Sequence, residues 1–192
     1  MSSLTPSIDR RAPKAWTSVI FALVAGALAS CSSTVANRDP VGQVFPSVTG
    51  ESLSGEKVSL PPSDRATILL IGYVQKAQFD ADRWIYGLLQ AQIAARIIEL
   101  PTIPGIFPSV LSGSIDSGMK SGIPSEDWAS VVTVYGSGAG TIVEFTGNET
   151  PRNIRVVLLD SAGRVRWFHD RGFSAGKLIE LQKTAASLTA GS

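Results

Sequence analysis

Sulfur and imidazole are scarce in this chain. It holds one cysteine, Cys31, and one histidine, His169, in 192 residues. No intrachain disulfide can form, and at most one thiolate nucleophile is available. A histidine-rich metal centre is excluded, and a carboxylate-only site would suit a hard cation at most. No cofactor and no metal ligand set is therefore expected. Charge of one sign is lacking too: 17 basic residues face 16 acidic ones, for a net charge of +1. That balance offers no basic field for nucleic acid and no acidic solvating tail. The one long apolar run, the 14 residues of Trp16–Ala29, falls short of the roughly 20 that span a membrane.

What is present explains that run. Arg10, Arg11 and Lys14 flank its start, and Leu28-Ala29-Ser30-Cys31 closes it. A basic start, a short apolar core and small residues before the cut form a secretory signal. A Cys directly after Leu-Ala-Ser is the bacterial lipobox pattern. The sequence thus predicts residues 1–30 as a lipoprotein signal peptide and Cys31 as the lipidated residue, a membrane anchor. An ordinary signal peptide with an incidental Cys31 is the competing reading. Arg10-Arg11 also admit a twin-arginine signal, although Ala12-Pro13 follow where an apolar pair is usual. The expected location is the cell envelope, facing the periplasm, and Ser32 in place of Asp points to the outer membrane. With Cys31 spent as an anchor, the body keeps no thiol.

Residues 31–41 are small and polar and are expected as a tether. Residues 42–188 have single-domain length. Val44–Val48 and Lys57–Leu60 flank a glycine-bearing segment and predict a hairpin. Ala66–Val74 is the most apolar strand candidate and should be central. A helix is expected over 79–95, with Ile85, Leu88, Leu89, Gln92 and Ile93 on one face. Ile97–Leu100 reads as a strand ended by Pro101, Phe107–Ser121 as a weak helix, and Val131–Tyr135 as a strand. Gly136–Gly140 reads as a loop. Ile154–Leu159 and Arg164–His169 form a hairpin around Ser161-Ala162-Gly163, and a helix capped by Ser174 ends the domain. A hairpin, then β-α-β-α-β, then a β-hairpin and a helix predict an α/β fold: a thioredoxin-like three-layer sandwich with an N-terminal β-hairpin extension.

The residues support a closer comparison. Val41-Gly42-Gln43-Val44-Phe45-Pro46 and Leu53-Ser54-Gly55-Glu56-Lys57-Val58 are similar to the opening of redoxin-type thioredoxin folds. Glu99-Leu100-Pro101-Thr102-Ile103, Gly118-Met119-Lys120-Ser121-Gly122-Ile123-Pro124 and Leu158-Leu159-Asp160-Ser161-Ala162-Gly163-Arg164-Val165-Arg166-Trp167 resemble the thioredoxin-like assembly factor family of the mitochondrial F-type ATP synthase. The resemblance implies a thioredoxin-like fold and a role in assisting a membrane complex as it assembles. That family faces a mitochondrial matrix, whereas this chain carries an export signal, so the fold carries over and the client does not. Reactive redoxins place a Cys after the central strand, where the next helix lowers its pKa. Here that segment is Tyr73-Val74-Gln75-Lys76-Ala77-Gln78-Phe79, and none of it can do thiol chemistry.

Other motifs are weighed against plainer explanations. Ser117-Gly118-Met119-Lys120 matches S-x-x-K, in which the Lys serves as base to the Ser, but the partner motifs S-D-N and K-T-G are missing. Gly136–Gly140 departs from G-x-G-x-x-G and precedes a strand-like Thr141–Phe145. His169 and Asp170 are expected in a solvated turn. Asp80 and Asp82 suit a helix start without a metal. Alternation puts Arg164, Arg166 and Phe168 on one strand face and Val165 and Trp167 on the other. With Arg83 and Trp84, the residues Arg164, Arg166, Trp167 and Phe168 are the candidate partner-binding surface.

The leading expectation is a membrane-anchored, non-catalytic thioredoxin-like protein that binds or assists assembly of an envelope protein. A cryptic hydrolase and a small-ligand binding module are the alternatives.

Overall fold

The computed structural model describes residues 34–105 and 109–189; the signal segment and Cys31 lie outside the described residues. Strands β1 (Val48–Ser52) and β2 (Lys57–Leu60) open the domain. Strand β3 (Thr67–Gly72) leads through a short 3-10 turn into helix α1 (Gln78–Gln90). Then come β4 (Arg96–Ile103), α2 (Ser109–Gly122), β5 (Val132–Tyr135) and α3 (Gly136–Thr146). A hairpin of β6 (Arg155–Leu159) and β7 (Val165–His169) precedes α4 (Ala175–Thr189).

The strands form one seven-stranded sheet in the order β2-β1-β5-β4-β3-β6-β7. Strands β3, β4 and β5 run parallel, and β6 returns antiparallel to β3. The expected hairpin is present and extends the β5 side, but its first strand is Val48–Ser52 and not Val44–Val48. Gly50 permits that junction, because a Cβ there would lie 2.6 Å from the Val132 side chain. Alternation along β3 splits the core. Leu69 and Ile71 meet Leu100, Val157 and Ile142 on one face. Ile68 and Leu70 meet Trp84, Leu88, Leu158 and Leu181 on the other, under α1 and α4.

Several expectations are corrected. Gly136–Gly140 opens helix α3 instead of a loop, and the strand-like Thr141–Phe145 continues it. Ala139, Ile142, Val143 and Thr146 recur at helical spacing and are buried, so tertiary packing overrides poor propensity. Strand β4 runs through Pro101 to Ile103. The missing N–H shows as a break in the β4–β5 ladder, which pairs Glu99 with Val131 and resumes only at Thr102 with Val134. Helix α1 ends at Gln90; of its expected inward face Leu88 is buried and Ile85 and Ile93 pack against the core, but Ala81 and Trp84 are the other buried anchors and Leu89 is exposed.

Residues 34–41, expected as part of a tether, lie against the domain: Val35 and Asn148 exchange bonds, and the Arg38 N–H donates to the Thr146 carbonyl at 3.1 Å. Last, a β-bulge sits between Leu158 and Leu159 where Val165 and Trp167 pair with them. The extra residue, Arg166, breaks the alternation. Val165 therefore joins one core face and Trp167 the other, and Phe168 packs on the side of Val165.

Candidate functional site

The carboxyl ends of the parallel strands are where open α/β sheets place ligands. Tyr73 follows β3 at that end, and Arg155 starts the antiparallel β6 beside it. Tyr73 is half-buried, and α3 covers its hydroxyl, which bonds Thr146 Oγ1 at 2.6 Å and donates to the Ile142 carbonyl at 3.2 Å. The Arg155 guanidinium stacks over the Tyr73 ring, 5.0 Å from its centroid. Burial pushes the Tyr73 hydroxyl up to about 12, against the pull of the Thr146 bond and the Arg155 charge. Burial in turn lowers Arg155 from its ordinary value.

Arg155 is fully buried. One terminal nitrogen, Nη1, donates to the carbonyls of Thr150 and Asn153, both at 2.8 Å. The other, Nη2, donates to Asn37 Oδ1 at 3.0 Å. Asn37 also accepts from the Glu149 N–H at 3.0 Å and donates to Thr150 Oγ1 at 3.2 Å. The site is thus closed by the N-terminal segment itself. Gly147 lets that segment lie close, since a Cβ at Gly147 would fall 2.2 Å from the Ala36 carbonyl oxygen.

Sequence reasoning read Arg155 as one residue of an apolar strand, and Asn37 as tether. The signal was a charge inside Ile154-Arg155-Val156-Val157-Leu158-Leu159: a charge within a strand buried on both faces requires internal partners.

The expected surface residues are scattered. Arg83, Arg164 and Arg166 are exposed. Arg164 donates to the Gly42 carbonyl, and Arg166 pairs with Asp160 at 3.4 Å. Trp84 is not at the surface: it is fully buried, with ring centroids of Trp167, His169 and Phe173 at 6.2, 5.8 and 5.3 Å. The fold does unite Trp84 with Trp167, but as core. Trp167 and Phe168 are half-buried. His169, expected in a solvated turn, is half-buried in this cluster and bonds the Gly172 carbonyl at 2.8 Å.

Asp80 acts as a clamp, accepting the N–H groups of Ile154 at 2.9 Å and Phe173 at 2.7 Å. Ser117 and Lys120 do not meet as nucleophile and base. Ser117 Oγ donates to the Gly113 carbonyl at 2.7 Å, while Lys120 Nζ sits 5.2 Å from the Trp128 ring centroid. Among the described residues no cluster of three or more metal-ligating side chains occurs.

Solved structures share this fold. A putative protein disulfide isomerase from Bacteroides thetaiotaomicron superposes with TM-score 0.52 at 13% identity, over 81% of this chain and 94% of that one. BsSco, a member of the Sco family of cytochrome c oxidase assembly proteins, gives 0.53 at 15% identity, over 79% and 98%. A SCO1/SenC family lipoprotein from Bacillus anthracis gives 0.52 at 10% identity, over 80% and 99%. The fold is thioredoxin-like. No family model and no curated protein matches the chain. Within this fold, Tyr73-Val74-Gln75-Lys76 follow β3 and lead into α1.

Proposed function

We propose that this chain is a lipid-anchored, non-catalytic thioredoxin-like protein of the cell envelope that binds a protein partner and assists its assembly. One observation carries the reading. The segment Tyr73–Phe79 between β3 and α1, the region compared with the redoxin thiol site, holds no Cys, and the hydroxyl of Tyr73 is engaged by Thr146 and the Ile142 carbonyl and held above the ordinary tyrosine range. A group so bonded and desolvated is a poor nucleophile at neutral pH. The likeness to a Sco assembly protein and to a SCO1/SenC family lipoprotein supports the same reading.

The contact surface would use exposed side chains. Arg83 of α1 lies among Phe79, Tyr86 and Leu89, which are 79%, 68% and 61% exposed, and Arg164 and Arg166 project from the β7 hairpin. Apolar groups so exposed on one helix suit a protein contact. Lipid on Cys31 would hold that surface at the membrane, with outer-membrane sorting directed by Ser32.

The test is crosslinking in the envelope from a photoreactive residue at Tyr86 or Arg166. One dominant protein captured, and lost on Arg83→Glu, is the expected result. Reduction of peroxide or of a peptide disulfide by Cys31→Ser protein would sink the non-catalytic reading. Cys31→Ser should also release the protein from the membrane fraction.

A further inference from the structure

A buried guanidinium is ordinarily balanced by a carboxylate. Arg155 has none at ion-pair distance: its hydrogen-bond partners are two carbonyls and one side-chain amide, no ion pair among the described residues includes it, and the Asp170 charge acts on it only from farther away. Its Nε is buried and has no hydrogen-bond partner. Nε and Nη2 form one edge of the planar guanidinium fork, the edge that grips both oxygens of a carboxylate. Of these two nitrogens, Nη2 donates to Asn37 Oδ1 and Nε has no hydrogen-bond partner.

We propose that Arg155 is a carboxylate-binding site, with the Asn37 amide standing where the carboxylate would sit. An entering carboxylate replaces Asn37 Oδ1 on Nη2 with one oxygen and satisfies Nε with the other. The site opens by lifting residues 34–38, which are held by peripheral bonds to Thr146, Asn148, Glu149 and Thr150 and form no strand of the sheet. A surface depression of about 260 Å³, lined by Thr150, Pro151, Arg152 and Asn153, borders the same loop and adds the exposed Arg152. The two-donor edge grips carboxylate and phosphate alike, but a single buried positive charge balances a monoanion and leaves a phosphate dianion with an unpaired buried charge, which favours carboxylate. The carboxylate comes from a small free acid or from the carboxy terminus of a polypeptide. The site stands whether or not an assembly partner exists.

The test follows the Arg155 Nε–H resonance by NMR in the full chain in detergent micelles. The probes are sodium acetate, acetamide, and one pentapeptide with either a free or an amidated carboxy terminus. Asn37→Ala removes the covering amide. Acetate should shift the resonance in Asn37→Ala with an affinity about tenfold above wild type, because the closed state no longer competes. Acetamide should not. Tighter binding of the free-acid peptide, abolished by amidation, assigns a polypeptide terminus; equal affinities assign a small free acid. A second variant, Asn37→Asp, supplies the carboxylate internally. It should melt above Asn37→Ala and lose the acetate response. An unmoved resonance in Asn37→Ala at saturating acetate, or an Asn37→Asp protein melting no higher than Asn37→Ala, overturns the proposal. Partner capture in the envelope is read separately, so either proposal can fail alone.

Discussion

The surroundings of Trp84 and of Arg155 are both sealed from water, yet they are built from opposite materials. Trp84 is enclosed by rings and aliphatic side chains of β6, β7, α1 and α4. Arg155 is held by two carbonyls and one amide with a single ring, Tyr73, stacked on it, and part of its cover is a segment that precedes the first strand. Each retains one unsatisfied donor, Trp84 Nε1 and Arg155 Nε. Apolar burial is non-directional and tolerates a lone indole N–H at modest cost. A guanidinium is different: its partners must stand at fixed angles, and a missing one leaves a specific vacancy. The comparison separates a region that holds the fold together from one that can exchange partners.

The largest expected effect breaks the apolar side. Trp84→Ala should cost about 3–5 kcal/mol in denaturant unfolding, the range for truncating a large buried aromatic. A loss below about 1 kcal/mol would mean that α1 and α4 are not fixed on this face. Arg155→Met should cost less, about 1–3 kcal/mol, by stranding the acceptors of Thr150, Asn153 and Asn37. Removing a buried charge that has no close ion-pair partner offsets part of that loss. If Arg155→Met proves worse than Trp84→Ala, the polar cluster is structural first and the contrast fails.

A pH series sharpens the comparison within the polar cluster. The Tyr73 hydroxyl titrates at about 12 in the folded protein, against 10.0 ordinarily. Below the ordinary value both states are protonated, and the contribution is intact. Between the two values the unfolded chain releases its proton first, so stability falls as pH rises. Tyr73→Phe should flatten that fall. Tyr135, also pushed up by burial and by its bond to Asp116, leaves a residual slope. An unchanged slope in Tyr73→Phe would show that the hydroxyl is not buried in solution.

The same contrast explains what the sequence could reveal. The thioredoxin-like order of elements followed from apolar periodicity and turn residues, because burial of alternating or helical stripes is a local pattern. The β3 run Thr67-Ile68-Leu69-Leu70-Ile71 was legible for that reason. The errors arose where long-range packing overrode local signals. Gly136–Gly140 became helix because Ala139 and Ile142 are buried against the sheet. Trp167 changed faces because one bulged residue shifts the alternation. The Arg155 cluster was invisible, since Asn37 and Arg155 are brought together only by the folded chain.

The smallest expected effect concerns the exposed arginines. Arg166 pairs with Asp160 at 3.4 Å, with the two side chains 47% and 20% exposed. Screening and side-chain entropy leave such a pair worth under about 1 kcal/mol. Asp160 is already engaged by the Ala162 and Arg164 N–H groups, so the turn survives without Arg166. Arg166→Ala should therefore leave the unfolding midpoint nearly unchanged. That near-silence makes it informative. A residue that can be removed without cost to the fold, yet whose removal abolishes partner crosslinking from Tyr86, acts at the surface and not through the core. Equal loss of midpoint and of crosslinking would instead place Arg166 with Trp84, among the residues that only hold the scaffold.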